Sequence, residues 1–234
     1  MLLCAITDRR LAAGSLPVAS HRDGFDALVA LTHTWAINGV SLIQLREKDL
    51  PIPELVSLAE AVRHAIGSVR TATRLILNAP VAVALTAGAD GIHLPADIAA
   101  LQPLDEIRRL YAASVSHSIG HSALWISVSC HTLEEVEHAR RQQADCILFA
   151  PVFEKVTVEG KRLPGQGLAT LAAACRVAHP VPVLALGGIT VDNAEACIAA
   201  GASGIAAIRL FHAPASAWSV LSHRGAIDAA SGAP

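Results

Sequence analysis

The chain is poor in aromatic residues, which make up 3% of its 234 positions, with a single Tyr and a single Met. Its core must therefore be built from Ala, Val, Leu and Ile, which supply most of a 53% hydrophobic content. That composition suits parallel strands covered on both faces by helices. There is no basic block and the net charge is -2, which excludes a nucleic-acid partner on charge grounds. No apolar run approaches the roughly 20 residues needed to span a bilayer, so no membrane role is expected. The first residues, Met1 to Arg9, lack the cationic lead of a signal peptide and read as a first strand. A cytoplasmic location follows as an expectation. The five cysteines contain no CxxC pair, which excludes both a disulfide framework and a zinc site. Cys4, Cys146, Cys175 and Cys197 read as small core residues. No GxGxxG follows the first strand, which argues against an open dinucleotide-binding sheet.

What is present is alternation. Strand signals at 2–6, 40–45, 75–77, 91–94, 124–128, 146–149, 183–186 and 204–208 are separated by helical patterns. Helices are expected at 25–37, 51–66, 81–87, 98–111, 132–141, 168–178, 191–200 and 215–221. Asn38-Gly39 and Gly67 are helix stops, Pro51 a helix start, and Thr132 with Glu135 a capping box. A Ser/His-rich stretch, 114–122, reads as a surface loop, and 154–167 as a long connection. Strands alternating with helices imply parallel pairing and crossover helices. Eight such units in this length give the expectation of one α/β domain over 1–234, a (β/α)8 TIM barrel, with a frayed tail after about 225.

In such a barrel the residues after each strand's carboxyl end face the ligand. They are Thr7, Asp8, Gln44, Arg46, Lys48, Asn78, His93, Asp97, Ser129, His131, Pro151, Gly187, Gly188 and Arg209. The set is cationic and hydrogen-bonding, with few acids. Gly187-Gly188-Ile189-Thr190 follows the seventh strand, where backbone N–H groups and a helix N-terminus suit a phosphate. Gly165-Gln166-Gly167 could add donors at the same end. Gln44, Arg46 and Lys48 alternate, so an extended run would point all three one way, toward a phosphorylated or carboxylated ligand. His93 ends an apolar strand and reads as a hydrogen-bonded core residue. His131 lies in a strand-to-helix turn, where an imidazole suits proton transfer. His117 and His121 read as loop surface.

Ala5-Ile6-Thr7-Asp8, Gln44-Leu45-Arg46-Glu47-Lys48, Leu77-Asn78, Gly88-Ala89-Asp90-Gly91-Ile92-His93-Leu94, Ser129 to Glu135, Pro151-Val152-Phe153 and Gly187-Gly188-Ile189-Thr190 follow one another in order. In that order they resemble the thiamin phosphate synthase/TenI family, from about residue 3 to 212. The resemblance implies a (β/α)8 barrel and one of two activities. The synthase joins hydroxymethylpyrimidine diphosphate to thiazole phosphate with Mg²⁺ help and releases diphosphate. The TenI-type enzyme is a thiazole tautomerase, aromatising a thiazole carboxylate phosphate by proton transfer through a histidine, without a cofactor.

The sequence departs from the synthase pattern at its metal carboxylates, since Asn78 is followed by Ala79 and the second carboxylate falls on Ile98, one place after Asp97. Only Thr157 is kept from the threonine-lysine motif after strand six. Arg209 stands where the family usually has Ser. His93-Leu94-Pro95 and Phe149 to Glu154 are similar to the TenI form. The expectation is therefore the tautomerase branch, with His131 catalytic and no metal. Gln44, Arg46, Lys48, Asn78, Ser129, Gly165, Gly167, Gly187 and Gly188 would bind a small phosphorylated thiazole ligand. The alternatives are a synthase with a rebuilt metal site and a non-catalytic regulator that binds thiazole or thiamin phosphate. The resemblance also allows a homodimer.

Overall fold

The computed structural model describes residues 1–14, 21–69, 71–115, 123–156 and 162–222. The chain opens with β1 (Leu2–Ile6), α1 (Arg9–Ala12), α2 (His21–Ile37), β2 (Leu42–Leu45), α3 (Ile52–Gly67), β3 (Arg74–Leu77), α4 (Val81–Thr86) and β4 (Gly91–Leu94). Then come α5 (Ala96–Leu101), α6 (Leu104–Val115), β5 (Trp125–Cys130), α7 (Leu133–Arg141), β6 (Cys146–Phe149), β7 (Lys155–Val156) and β8 (Arg162–Leu163). The chain continues through α8 (Gly167–Ala178), β9 (Val183–Leu186), α9 (Val191–Ala199), β10 (Gly204–Ala207), α10 (Arg209–His212) and a 3₁₀ turn at Ala215–Ala217.

Eight strands close into a barrel in the order β1-β10-β9-β6-β5-β4-β3-β2, every pair parallel. The expected (β/α)8 architecture is therefore present. Alternation along each strand sorts the side chains, because successive residues point to opposite faces. Cys4, Ile6, Leu42, Ile76, Cys146, Leu148, Leu184 and Ala206 form one buried cluster, the barrel interior. Their neighbours Leu3, Ala5, Ile43, Leu45, Leu75, Leu77, Ile147 and Phe149 belong to the larger cluster beneath the helices. The few aromatics are concentrated: Trp35, Phe211 and Trp218 meet edge-on, and the Trp35 indole N–H donates to Phe211 O at 2.8 Å.

Several local expectations are corrected. The helix expected at 98–111 is two helices, because Pro103 disfavours a helical conformation at the residue before it. Gln102 is accordingly extended at φ -120° and ψ 120°. The connection 154–167 carries an antiparallel pair, with Lys155 opposite Leu163 and Val156 opposite Arg162. The first strand ends at Ile6, and Arg9 opens a helix rather than ending the strand. Asp8 accepts from the Arg10 N–H and caps the one-turn helix α1. The helix expected at 215–221 begins as the 3₁₀ turn. Of the stretch 114–122, the first two residues close α6, while 116–122 and the tail beyond 222 lie outside the described residues.

Candidate active site

The mouth of the barrel has a charged side, formed after β1 and β2. The Thr7 hydroxyl donates to Glu47 Oε1 at 2.7 Å and accepts from the Arg46 N–H at 2.9 Å. The Arg9 N–H donates to the same Glu47 oxygen at 3.1 Å, and its guanidinium reaches Glu47 Oε2 at 3.0 Å. That guanidinium also grips both Asp49 oxygens at 2.7 Å, and Arg10 adds a contact at 2.8 Å. Arg9 thereby holds the Asp49 carboxyl well below the usual carboxylate range. Glu47 is 4% exposed, so the network braces the loop after β2 from beneath. Arg46 and Lys48, on either side of Glu47, are exposed, whereas Gln44 is buried. The strand ends at Leu45, so the three do not form one extended row as expected; alternation of burial nonetheless persists through Lys48. The Gln44 amide Nε2 is buried with no hydrogen-bond partner among the described residues. A buried donor left unmet costs about 1–3 kcal/mol, so this amide calls for an acceptor from a ligand or water. Asn78, two residues past Ile76 on the interior-facing register, is half-buried beyond the end of β3.

The floor of the mouth is made by β4 and β5. His93 pairs with Ser127 across the two strands. Its Nδ1 lies 2.9 Å from Ser127 Oγ and its Nε2 lies 2.8 Å from Ser129 Oγ. Burial, followed by the nearby charges of Arg46 and Lys48, pushes its pKa down to about 3. The expectation of a hydrogen-bonded core histidine is met, its partners being Ser127 and Ser129 on β5.

The opposite side of the mouth is held by backbone packing. Gly187 and Gly188 adopt φ +96° and +66°, a region that side chains avoid. A Cβ on Gly188 would stand 2.6 Å from Glu154 O, and one on Gly187 would stand 2.8 Å from Pro151. A Cβ on Gly165 would meet Val152 O and Phe153 Cα at 2.5 Å. These glycines let the segment after β6 lie flat against the turn after β9. The Phe153 N–H donates to Gly187 O at 3.0 Å, and the Gly167 N–H to Val152 O at 2.9 Å. The Gly167 donor is thus already engaged. The Gly187 and Gly188 N–H groups have no protein acceptor among the described residues. They precede α9, whose N-terminus is closed by a Thr190–Asn193 capping box.

His131 follows Cys130 at the end of β5 and is exposed. Its Nδ1 is 2.8 Å from the carbonyl oxygen of Ala150, which can only accept, so Nδ1 carries the proton. In the neutral ring Nε2 then carries the lone pair, the form a general base requires. Glu135 accepts from the His131 and Thr132 N–H groups, which fixes the turn at the start of α7.

Gln44, Arg46, Lys48, Asn78, Ser129, His131, Gly187 and Gly188 all follow or end barrel strands, at one end of the barrel. Gly165 and Gly167 pack on the segment after β6. Arg209 opens α10 as an exposed residue. Sequence reasoning did not give Arg9, Glu47, Asp49 and Ser127 a role. Glu47 could have been found, being an acid on the opposite parity to Arg46 and Lys48 beside a barrel strand. Of the cysteines expected in the core, Cys4, Cys146 and Cys197 are buried free thiols and Cys175 is half-buried; burial pushes Cys4 up to about 12.

A closed parallel barrel with cations, an unmet amide and a glycine turn at its carboxyl mouth places the chain in the (β/α)8 class. The particular family follows from comparison. The profile of the family described as "Thiamine monophosphate synthase", TMP-TENI, matches residues 16–211. A "Putative thiamine-phosphate synthase" of Geobacter sulfurreducens is 37% identical over 206 residues, 88% of this chain and 84% of that protein. A "Thiamine-phosphate synthase" of Agrobacterium fabrum is 35% identical over 199 residues, 83% and 84% of the two chains. The chain belongs to the thiamine monophosphate synthase (TMP-TENI) family. In fold it is similar to the solved "Thiamine phosphate pyrophosphorylase" from Pyrococcus furiosus, with a TM-score of 0.71 at 24% identity, covering 99% of this chain and 97% of that one.

Proposed function

We propose that this chain is a thiamin phosphate synthase that joins hydroxymethylpyrimidine diphosphate to thiazole phosphate at the barrel mouth. The observation that supports this most is the shared name of relatives at 37% and 35% identity over most of their length. These names move the reading away from the tautomerase branch that the sequence motifs favoured. In the joining step, the C–O bond between the pyrimidine methylene and the diphosphate breaks, and its electron pair leaves with the diphosphate. A C–N bond forms from the thiazole nitrogen to that methylene. Charge builds on the departing oxygen, so cations fixed beside it lower the barrier. Arg46 and Lys48 are the exposed cations for that task, held by the Thr7–Glu47–Arg9 brace. The Gly187 and Gly188 N–H groups and the start of α9 would take the thiazole phosphate.

The family resemblance also implies Mg²⁺, which would neutralise diphosphate charge. The donors here do not fit a site built by the protein. Glu47 and Asp49 are bound by arginines, Asp97 is exposed in the first turn of α5, and Ala79 and Ile98 cannot ligate. Among the described residues no group of three or more His, Cys, Asp and Glu could hold a metal ion.

A second reading has its own observation. The Nδ1–Ala150 bond leaves His131 Nε2 as a base at the rim, which suits the proton transfer of a thiazole tautomerase. One experiment separates the two. The purified chain is given the two synthase substrates with Mg²⁺, and separately the thiazole carboxylate phosphate. Equimolar thiamin phosphate and diphosphate in the first assay support the synthase. Aromatised thiazole in the second assay, with no product in the first, transfers the assignment to His131 and the tautomerase.

A further inference from the structure

We infer that His93 is a positioning residue: with Ser127 it forms a directional hydrogen-bond relay that fixes the Ser129 hydroxyl as an acceptor toward the mouth. The relay is read from its buried end. Ile92 O can only accept, and Ser127 Oγ lies 3.3 Å from it as donor. With its proton given to Ile92, the Ser127 oxygen accepts from His93 Nδ1–H at 2.9 Å. The neutral ring then offers only a lone pair at Nε2, which accepts the Ser129 proton at 2.8 Å. Turned the other way, with Nε2 protonated, the chain would leave the Ser127–Ile92 bond unmade. Ser127 is 2% and His93 4% exposed, and the direction with Nδ1–H keeps one more hydrogen bond among these buried groups. Ser129 is half-buried, so with its proton tied below, its oxygen lone pairs face any ligand that enters. The relay therefore selects a ligand group that carries an N–H or O–H donor.

The same geometry excludes a nucleophilic Ser129. A serine activated by histidine needs that histidine to take the proton and carry a positive charge. Burial and the charges of Arg46 and Lys48 hold the His93 pKa near its lowered value of about 3, so the cation is disfavoured. Ser129 keeps its proton and orients.

This inference deepens the synthase reading and uses the same mouth, but part of its test does not need turnover. The full chain is labelled with ¹⁵N-histidine, and the ring nitrogens of His93 are assigned by loss of signal in His93→Gln. A neutral ring with Nδ1–H at pH 7 is expected. A ring protonated at Nε2, or at both nitrogens, overturns the relay whatever reaction the chain performs. For function, His93→Leu removes the acceptor below Ser129, whereas His93→Gln keeps one near the Nε2 position. Loss of one well-oriented hydrogen bond is worth about tenfold. KM is therefore expected to rise about tenfold in the Leu variant and to stay within about threefold in the Gln variant, with kcat less affected. If both variants bind and turn over alike, the ring is only filling space and the relay fails. If the wild-type chain makes no thiamin phosphate yet shows the Nδ1–H tautomer, the synthase reading fails and the relay stands.

Discussion

The two sides of the barrel mouth are held in place by different physics. The side after β1 and β2 is electrostatic: Arg46 and Lys48 project from a loop whose shape depends on a buried carboxylate, two arginines and a threonine. The side after β6 and β9 is steric: Gly165, Gly187 and Gly188 allow backbones to touch, and the donors it leaves open are main-chain N–H groups. Charge substitutions should therefore damage the first side and volume substitutions the second. In the proposed synthase reaction this division would set braced cations beside the leaving group and rigid amides on the retained phosphate.

The sharpest way to break the comparison is Glu47→Ala. It leaves the buried Arg9 guanidinium short of an acceptor and the Thr7 hydroxyl without one, and stripping one partner from a buried ion pair costs about 3–5 kcal/mol. Denaturant unfolding should show a loss of that size; a loss below about 1 kcal/mol would mean that the network behaves as a surface pair. Gly188→Ala should come next. A left-handed φ costs an alanine about 1–2 kcal/mol, and forcing a Cβ against a backbone oxygen adds about 1–3 kcal/mol. Thermal melts should fall accordingly, and an unchanged melting temperature would show that the turn can move aside. Arg46→Ala and Lys48→Ala, by contrast, should leave stability within about 0.5 kcal/mol, as exposed substitutions do. Each should lower kcat/KM about tenfold to a hundredfold through lost charge stabilisation.

A separate effect concerns acid stability. The His93 pKa is about 3 in the folded chain, against its ordinary value of 6.5. Between those values the unfolded chain binds the extra proton, so stability falls as pH drops through that window and is fully present above it. The slope from this group approaches about 1.4 kcal/mol per pH unit well inside the window. Unfolding curves between pH 7 and 4 check it, and His93→Gln should flatten the slope.

Much of this was legible in the sequence. Barrel topology follows from periodicity, and most strand positions lie within one or two residues of expectation because aliphatic runs bounded by glycine and proline leave little choice. The capping box at Thr132–Glu135 was visible because its two hydrogen bonds need nothing beyond four residues. Elements set by distant contacts were not visible. The Glu47 brace joins residues 38 to 40 positions apart, and an acid between two cations reads as surface until its burial is known. The pairing of His93 with Ser127 and Ser129 depends on β4–β5 register, which no local pattern reveals. The two-residue strands β7 and β8 were too short to leave a periodic signal. The choice of reaction lay deeper still: the motifs at the mouth favoured the tautomerase, whereas the names of relatives favour joining.

Product analysis of the wild-type chain beside an Arg46→Ala/Lys48→Ala variant tests the central claim most directly. With both synthase substrates present, the wild type should release diphosphate and thiamin phosphate in equal amounts, while the double variant, melting at the same temperature, loses about a hundredfold or more in rate. Formation of product at the wild-type rate by the double variant, or by neither protein, would contradict it.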